Sequence, residues 1–213
     1  MKDLKNLKVD ELKILAFDIR KQIISTVSKN GGHLSSNLGI VDLTIAIHKI
    51  FDTPNDKVIF DVSHQTYAHK ILTGREEEFN SLRKFGGISG FTNPNESAYD
   101  AFSIGHSSTA ISLAIGQAIL NKHNGIDRNV IAVVGDGSAT NGLSLEALNY
   151  LGAHPELKVI VIIQYSMQKI NTFSKKLCFG VAILSKLCYN KRRVLQKRAL
   201  NFQGDKVCKS NTT

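Results

Sequence analysis

Apolar side chains recur at helical spacing through Leu12, Leu15, Ala16, Ile19, Ile23 and Val27, which predicts an amphipathic helix. Asp10 stands where it can cap the start, and Asn30-Gly31-Gly32 supplies residues that tolerate left-handed backbone at the end. A second apolar stretch runs from Leu38 to Phe51 and stops at Asp52-Thr53-Pro54. Three runs have no helical spacing: Val58-Ile59-Phe60, Val130 to Val134 and Val159 to Ile163 are unbroken and rich in β-branched residues. Such runs predict strands buried on both faces of a parallel sheet. Helices opening at Ser107-Ser108 and spanning Leu143 to Leu151 alternate with them, and Gly86 to Pro94 reads as a loop. The expected class is α/β, a mainly parallel sheet flanked by helices.

Length and charge sharpen this picture. A chain of 213 residues is long enough for one well-buried domain with or without a tail. No apolar run approaches the ~20 residues that span a bilayer. The amino terminus, MKDLKNLKVDELK, is charged from its start and carries no apolar signal core. The expectation is a cytoplasmic protein with no membrane partner. The net charge of +9 is not spread along the chain. Residues 1–163 carry 16 Lys and Arg against 17 Asp and Glu, whereas residues 164–213 carry 11 against the single acid Asp205. The three cysteines, Cys178, Cys188 and Cys208, also lie in that last stretch, in odd number and without Cys-x-x-Cys spacing. Neither a disulfide framework nor a zinc site is indicated.

Four motifs sit at strand ends or helix starts, where open α/β sheets bind ligands and helix amino termini offer N–H groups to phosphate. Gly135-Asp136-Gly137 follows a strand directly; its glycines admit a close ligand and its carboxylate suits a hard cation such as Mg²⁺, although the same tripeptide also makes ordinary turns. Gly105-His106-Ser107-Ser108-Thr109 stands at a helix start, as a capping serine beside a histidine also would. His64, in Asp61-Val62-Ser63-His64-Gln65, ends a strand, where a core histidine bonded to backbone is the plain alternative. Gly32-His33-Leu34-Ser35-Ser36-Asn37-Leu38-Gly39 joins two helices, as a turn braced by Ser and Asn would.

Taken together and in order, the blocks GGHLSSNLGIVDLTIAIH, FDVSHQTYAHKILTGR, FSIGHSSTAISLAIGQA and VVGDGSATNGLSLEALN resemble the 1-deoxy-D-xylulose-5-phosphate synthase family of transketolase-like enzymes, over about Leu7 to Ile163. The resemblance implies the diphosphate-binding domain of the thiamine-diphosphate-binding fold, with thiamine diphosphate and Mg²⁺ as cofactors. It implies pyruvate and glyceraldehyde 3-phosphate as substrates, and a homodimer if the enzyme is intact. Position by position, it implies that His33 moves protons beside the thiazolium and that His64 contacts the cofactor. It lays Gly105, His106 and Ser107 along the cofactor, makes Asp136 a metal ligand, and packs Gly137 and Ser138 against the diphosphate.

The resemblance breaks after Ile163. There the family carries Asn-Asp-Asn, whose second Asn ligates the metal; this chain has Gln164, Tyr165 and Ser166, and a serine hydroxyl is the poorer ligand. The break coincides with the charge switch. The expected division is a partial diphosphate-binding domain over 1–163 and an irregular basic tail over 164–213, of the kind a shifted reading frame produces. Lys191-Arg192-Arg193 with Lys197-Arg198 reads as a solvated face before a nucleic-acid interface. The expected function is that of the synthase in a truncated, inactive form, because the family's pyrimidine-binding domain and its activating glutamate have no counterpart here. The alternatives are one subunit of a split enzyme, or a non-catalytic remnant binding nucleic acid through its tail.

Overall fold

The computed structural model describes residues 4–166 and 179–185; the other expectations for the tail, the basic cluster among them, lie outside the described residues. The sheet has the order β1-β2-β3-β4. Strands β1 (Lys57–Phe60), β2 (Val130–Gly135) and β3 (Val159–Ser166) are parallel. Strand β4 (Phe179–Ser185) runs antiparallel along β3. The three apolar runs are thus the parallel centre. Strand β3 continues three residues past the expected boundary at Ile163, and Phe179–Ser185, expected to be irregular, adds an edge strand. Its Phe-Gly-Val-Ala-Ile-Leu run has the apolar, β-branched character of the other strands.

Helices cover both faces, and β2 shows why its run must be apolar throughout. Val130, Ala132 and Val134 pack on helix α4 (Ala110–His123) and helix α6 (Gly142–Ala153). Ile131 and Val133 turn the other way, onto Ile40 and Ile47 of helix α2 (Leu34–Ile50). Each fully buried Val or Ile contributes about 1.5–3 kcal/mol relative to exposure. Ala110, Ala114 and Ala118 keep the buried stripe of α4 small. Helix α1 (Val9–Asn30) buries its periodic Leu12, Ala16, Ile19 and Ile23 against α2 and against Tyr67, Ile71 and Phe79, in a second cluster away from the sheet. The segment after β1 forms a short helix α3 (Tyr67–Lys70) and a kinked turn that reverses at Gly74 (φ 97°).

Several boundaries differ from the sequence pattern, each for a local reason. Lys8, not Asp10, precedes α1, because the Glu11 carboxylate reaches back to the Lys8 N–H (2.6 Å) while Asp10 pairs with Lys13 (3.0 Å). Helix α2 begins at Leu34, so His33 becomes its N-cap and the serines belong to its first turn. Ser107 and Ser108 fall in a turn before α4, and Asp136 opens a single helical turn, α5 (Asp136–Ala139). Among the described residues, no helix is long and apolar enough to cross a membrane.

Candidate functional site

Because β1, β2 and β3 are parallel, their carboxyl ends open on one edge, where a cleft of ≈ 620 Å³ lies. Strand β1 delivers Asp61, His64 and Gln65 to it, β2 delivers Gly135 to Ser138, and β3 contributes Gln164. Ser35 and Ser36 of α2, with Arg20 of α1, form the opposite wall.

His64 reaches the cleft through a strained turn. Val62 and Ser63 have φ of 60° and 66°, a region that non-glycine residues rarely occupy, least of all a β-branched one. Three hydrogen bonds hold Ser63 in place. Its Oγ donates to the Ile104 carbonyl (2.6 Å) and accepts from the Thr92 N–H (3.1 Å), and Thr66 Oγ1 donates to its carbonyl (2.7 Å). Strain that is over-determined in this way concentrates at functional positions. Burial lowers the His64 pKa, the neighbouring His33 lowers it further, and Asp61 acts in the opposite sense. Its buried Nδ1 has no partner among the described residues.

His33 is exposed at the start of α2, outside the lining of the cleft, yet its ring meets His64 edge to face and the Phe91 ring lies at 6.4 Å. Asn37, fully buried, ties the two histidine segments together. Its Nδ2 donates to the carbonyls of His33 (2.6 Å) and His64 (2.8 Å), and its Oδ1 accepts from the Tyr67 N–H (2.9 Å). Both amide hydrogens and the acceptor of that side chain are in use.

Asp136 lines the cleft, and its Oδ1 accepts the Gly137 N–H at 2.9 Å. A Cβ placed on Gly135 or Gly137 would meet nothing within 4 Å, so a ligand can approach this backbone closely. The Ser138 carbonyl is fixed by two hydroxyls, Ser108 Oγ (3.0 Å) and Ser144 Oγ (2.8 Å). Gly105, His106 and Ser107 are exposed and do not line the cleft. The amides of Ser108, Thr109 and Ala110, which lead into α4, are not free for a phosphate either, since Asp61 accepts them. Ser166 ends β3 opposite Phe179; the expectation for its side chain lies outside the described residues.

The family profile of 1-deoxy-D-xylulose-5-phosphate synthase matches residues 1–208. The chain belongs to this family. It is 53% identical over 161 residues to the 1-deoxy-D-xylulose-5-phosphate synthase of Carboxydothermus hydrogenoformans, covering 76% of this chain and 26% of that protein. It is 56% identical over 151 residues to the synthase of Dictyoglomus thermophilum, covering 71% and 24%. The chain therefore spans about a quarter of the length of the curated relatives it matches. Transketolases share its fold: that of Leishmania mexicana superposes with a TM-score of 0.62 at 19% identity, covering 75% of this chain and 28% of its own. That of Campylobacter jejuni gives 0.62 at 21%, covering 70% and 27%.

The synthase block SHQTYAHKILTGR also supplies a buried polar network that motif reading missed. His48 Nε2 lies 2.9 Å from His69 Nδ1, and His69 Nε2 donates to Asp100 Oδ1 (2.9 Å). A carboxylate only accepts, so His69 carries its proton on Nε2. Its Nδ1 then accepts from His48, whose Nδ1 is left to accept from Thr53 Oγ1 at 2.8 Å. Arg75 grips both oxygens of Asp100 (2.7 and 2.9 Å), and the fully buried Lys70 donates to Glu96 (2.6 Å). Burial alone would raise the Asp100 carboxyl, but hydrogen bonds from His69 and Arg75 outweigh it and hold the group well below the usual carboxylate range. Asp100 accepts the Asn93 N–H (2.8 Å) and Glu96 the Ser89 N–H (2.7 Å). The two acids thereby fasten the loop that carries Phe91 to His33. Asp61, Asn37, Gln65, Gln164 and Arg20 were likewise given no place in the site by the sequence reading.

Proposed function

We propose that the chain is the diphosphate-binding part of a thiamine-diphosphate-dependent transferase that condenses pyruvate with glyceraldehyde 3-phosphate, with loss of CO₂, to give 1-deoxy-D-xylulose 5-phosphate. The observation that carries this reading is the meeting of His64 and the Asp136–Ser138 turn on one cleft at the strand ends of a chain of this family. The residues present fit the cofactor's diphosphate. An open glycine backbone flanks a carboxylate. Mg²⁺ held by a single protein carboxylate completes its shell with phosphate oxygens and water.

Asp136 would hold the metal, with Gly137 and Ser138 against the diphosphate and the Gly105–Ser107 strip at the rim. When bound, thiamine diphosphate supplies the ylid and the electron sink. His33, exposed and beside the Phe91 ring, would take up and return protons at its ring nitrogens. His64, its pKa lowered by burial, presents a neutral ring beside it. A dimeric, cytoplasmic enzyme is the assembly and compartment this reading carries with it.

Calorimetry with Mg²⁺ and thiamine diphosphate tests the proposal. The chain should bind weakly, Asp136→Ala should abolish binding, and Ser166→Asn should strengthen it. Turnover by these 213 residues alone should equal a no-protein control, because they span about a quarter of the length of the synthases they match. Binding that survives Asp136→Ala would overturn the assignment of the cradle.

A further inference from the structure

Asp61 follows β1 directly, with 1% of its surface exposed. Its backbone is fixed on both sides, with its N–H donating to the Val133 carbonyl (2.8 Å) and its carbonyl accepting from Gln65 Nε2 (3.0 Å). Its carboxylate accepts three successive amides: Ser108 on Oδ2 (2.8 Å), then Thr109 (3.0 Å) and Ala110 (3.1 Å) on Oδ1. They belong to the turn residue Ser108, the N-cap Thr109 and the first residue, Ala110, of the 14-residue helix α4, where the helix dipole favours negative charge. Ser108 is held in the left-handed region (φ 73°), and its hydroxyl donates onward to the Ser138 carbonyl at 3.0 Å. One carboxylate thus joins the turn that delivers His64, the segment after Gly105–Ser107 and the Asp136–Ser138 turn.

We propose that Asp61 is an internal anion that positions this site. It fills the amino end of α4, so that a phosphate cannot settle there, and through Ser108 it sets Ser138 against His64. Its functional consequence rests on reading the cleft as the diphosphate cradle: the diphosphate is directed to the metal at Asp136. A residue acting only as a helix cap would lower stability when removed and would leave the metal dependence of anion binding unchanged.

Calorimetry with inorganic pyrophosphate, with Mg²⁺ or with a chelator, separates the two roles in the full chain. The wild type should bind pyrophosphate only with Mg²⁺ and only with Asp136 present. Asp61→Gly, which opens the three amides, should bind pyrophosphate without metal, and a second substitution, Asp136→Ala, should not remove that binding. Its thermal midpoint should rise with sulfate or formate, and formate should restore part of the lost affinity for Mg²⁺–thiamine diphosphate. Asp61→Asn keeps the shape and should lower that affinity by about 10–100-fold, as losses of residues that orient metal sites do. If Asp61→Gly does not fold in chloride buffer, refolding it in sulfate reads the same vacancy. The proposal is overturned by a folded Asp61→Gly indifferent to anions, or by wild type binding pyrophosphate without metal. Failure of the wild type to bind Mg²⁺–thiamine diphosphate, with Asp61→Gly still stabilised by anions, removes the cradle and leaves Asp61 as the anion filling α4.

Discussion

The imidazoles of His33 and His64 stand edge to face, with ring centroids 5.0 Å apart and planes at 65°. One caps α2 and the other leaves β1, so the pair exists only when the α1–α2 layer is docked beside the sheet. After burial, proximity to His33 is the next largest influence depressing the His64 pKa. His33→Ala should therefore raise the His64 pKa toward 6.5, while Asp61→Asn should lower it further. Proton-resolved NMR titration of the His64 ring reads both shifts; an unmoved His64 in His33→Ala would show that the rings do not meet in solution.

Asn37 is the hydrogen-bonded spacer of that pair. Asn37→Ala removes both donors and the acceptor at once, leaving the carbonyls of His33 and His64 and the Tyr67 N–H to find other partners. A buried group left unpaired costs about 1–3 kcal/mol. Urea denaturation should show a loss of at least that order, and Asn37→Asp, which keeps the acceptor but turns a buried carboxylate oxygen onto the His33 and His64 carbonyls, should recover none of it.

Stability should fall on acidification through His48 and His69. Burial is the main cause holding both below their ordinary value of 6.5, the Asp100 hydrogen bond opposing it at His69. Below pH 6.5 the unfolded chain takes up protons that the folded chain refuses, so stability present above that pH is lost as it falls toward the depressed folded values. Asp100, held charged throughout this range, adds nothing to the slope. Denaturant midpoints at pH 7.5, 6 and 5 should decline in that order, and a flat profile would contradict a neutral His48–His69 pair.

Removing one partner of the buried ion network should be severe. Arg75→Met leaves the Asp100 carboxylate without its two guanidinium bonds, and breaking a buried pair this way costs about 3–5 kcal/mol. Arg75→Lys should rescue little, since a single ammonium cannot reproduce the planar fork. Denaturation curves of the three proteins check the order, and a fully rescuing lysine would show that charge alone suffices.

The fold was legible because strand and helix leave different periods in the chain. Continuous apolar runs at Val130–Val134 and Val159–Ile163 can only be accommodated between two layers, and the spacing through Leu12 to Val27 only on one helix face. The site was legible as blocks, since the glycine and histidine motifs sit just past those runs. Element ends were less so. Ser107-Ser108 read as the opening of a helix, whereas Ser108 occupies a left-handed turn in which Asp61 accepts its amide. Strand β4 went unread because it followed the point at which the family blocks stopped.

The sequence by itself determined the α/β class, the buried centre of the sheet and the identity of the motifs, because each follows from neighbours along the chain. Only the tertiary structure decided what those motifs touch. That Asp61 occupies the amides of α4, that Asn37 spans His33 and His64, and that Lys70 and Arg75 meet Glu96 and Asp100 are contacts between residues remote in sequence. A hydrogen bond acts over about 3 Å, and no period or motif along the chain encodes which distant group will arrive at that distance until the layers have packed.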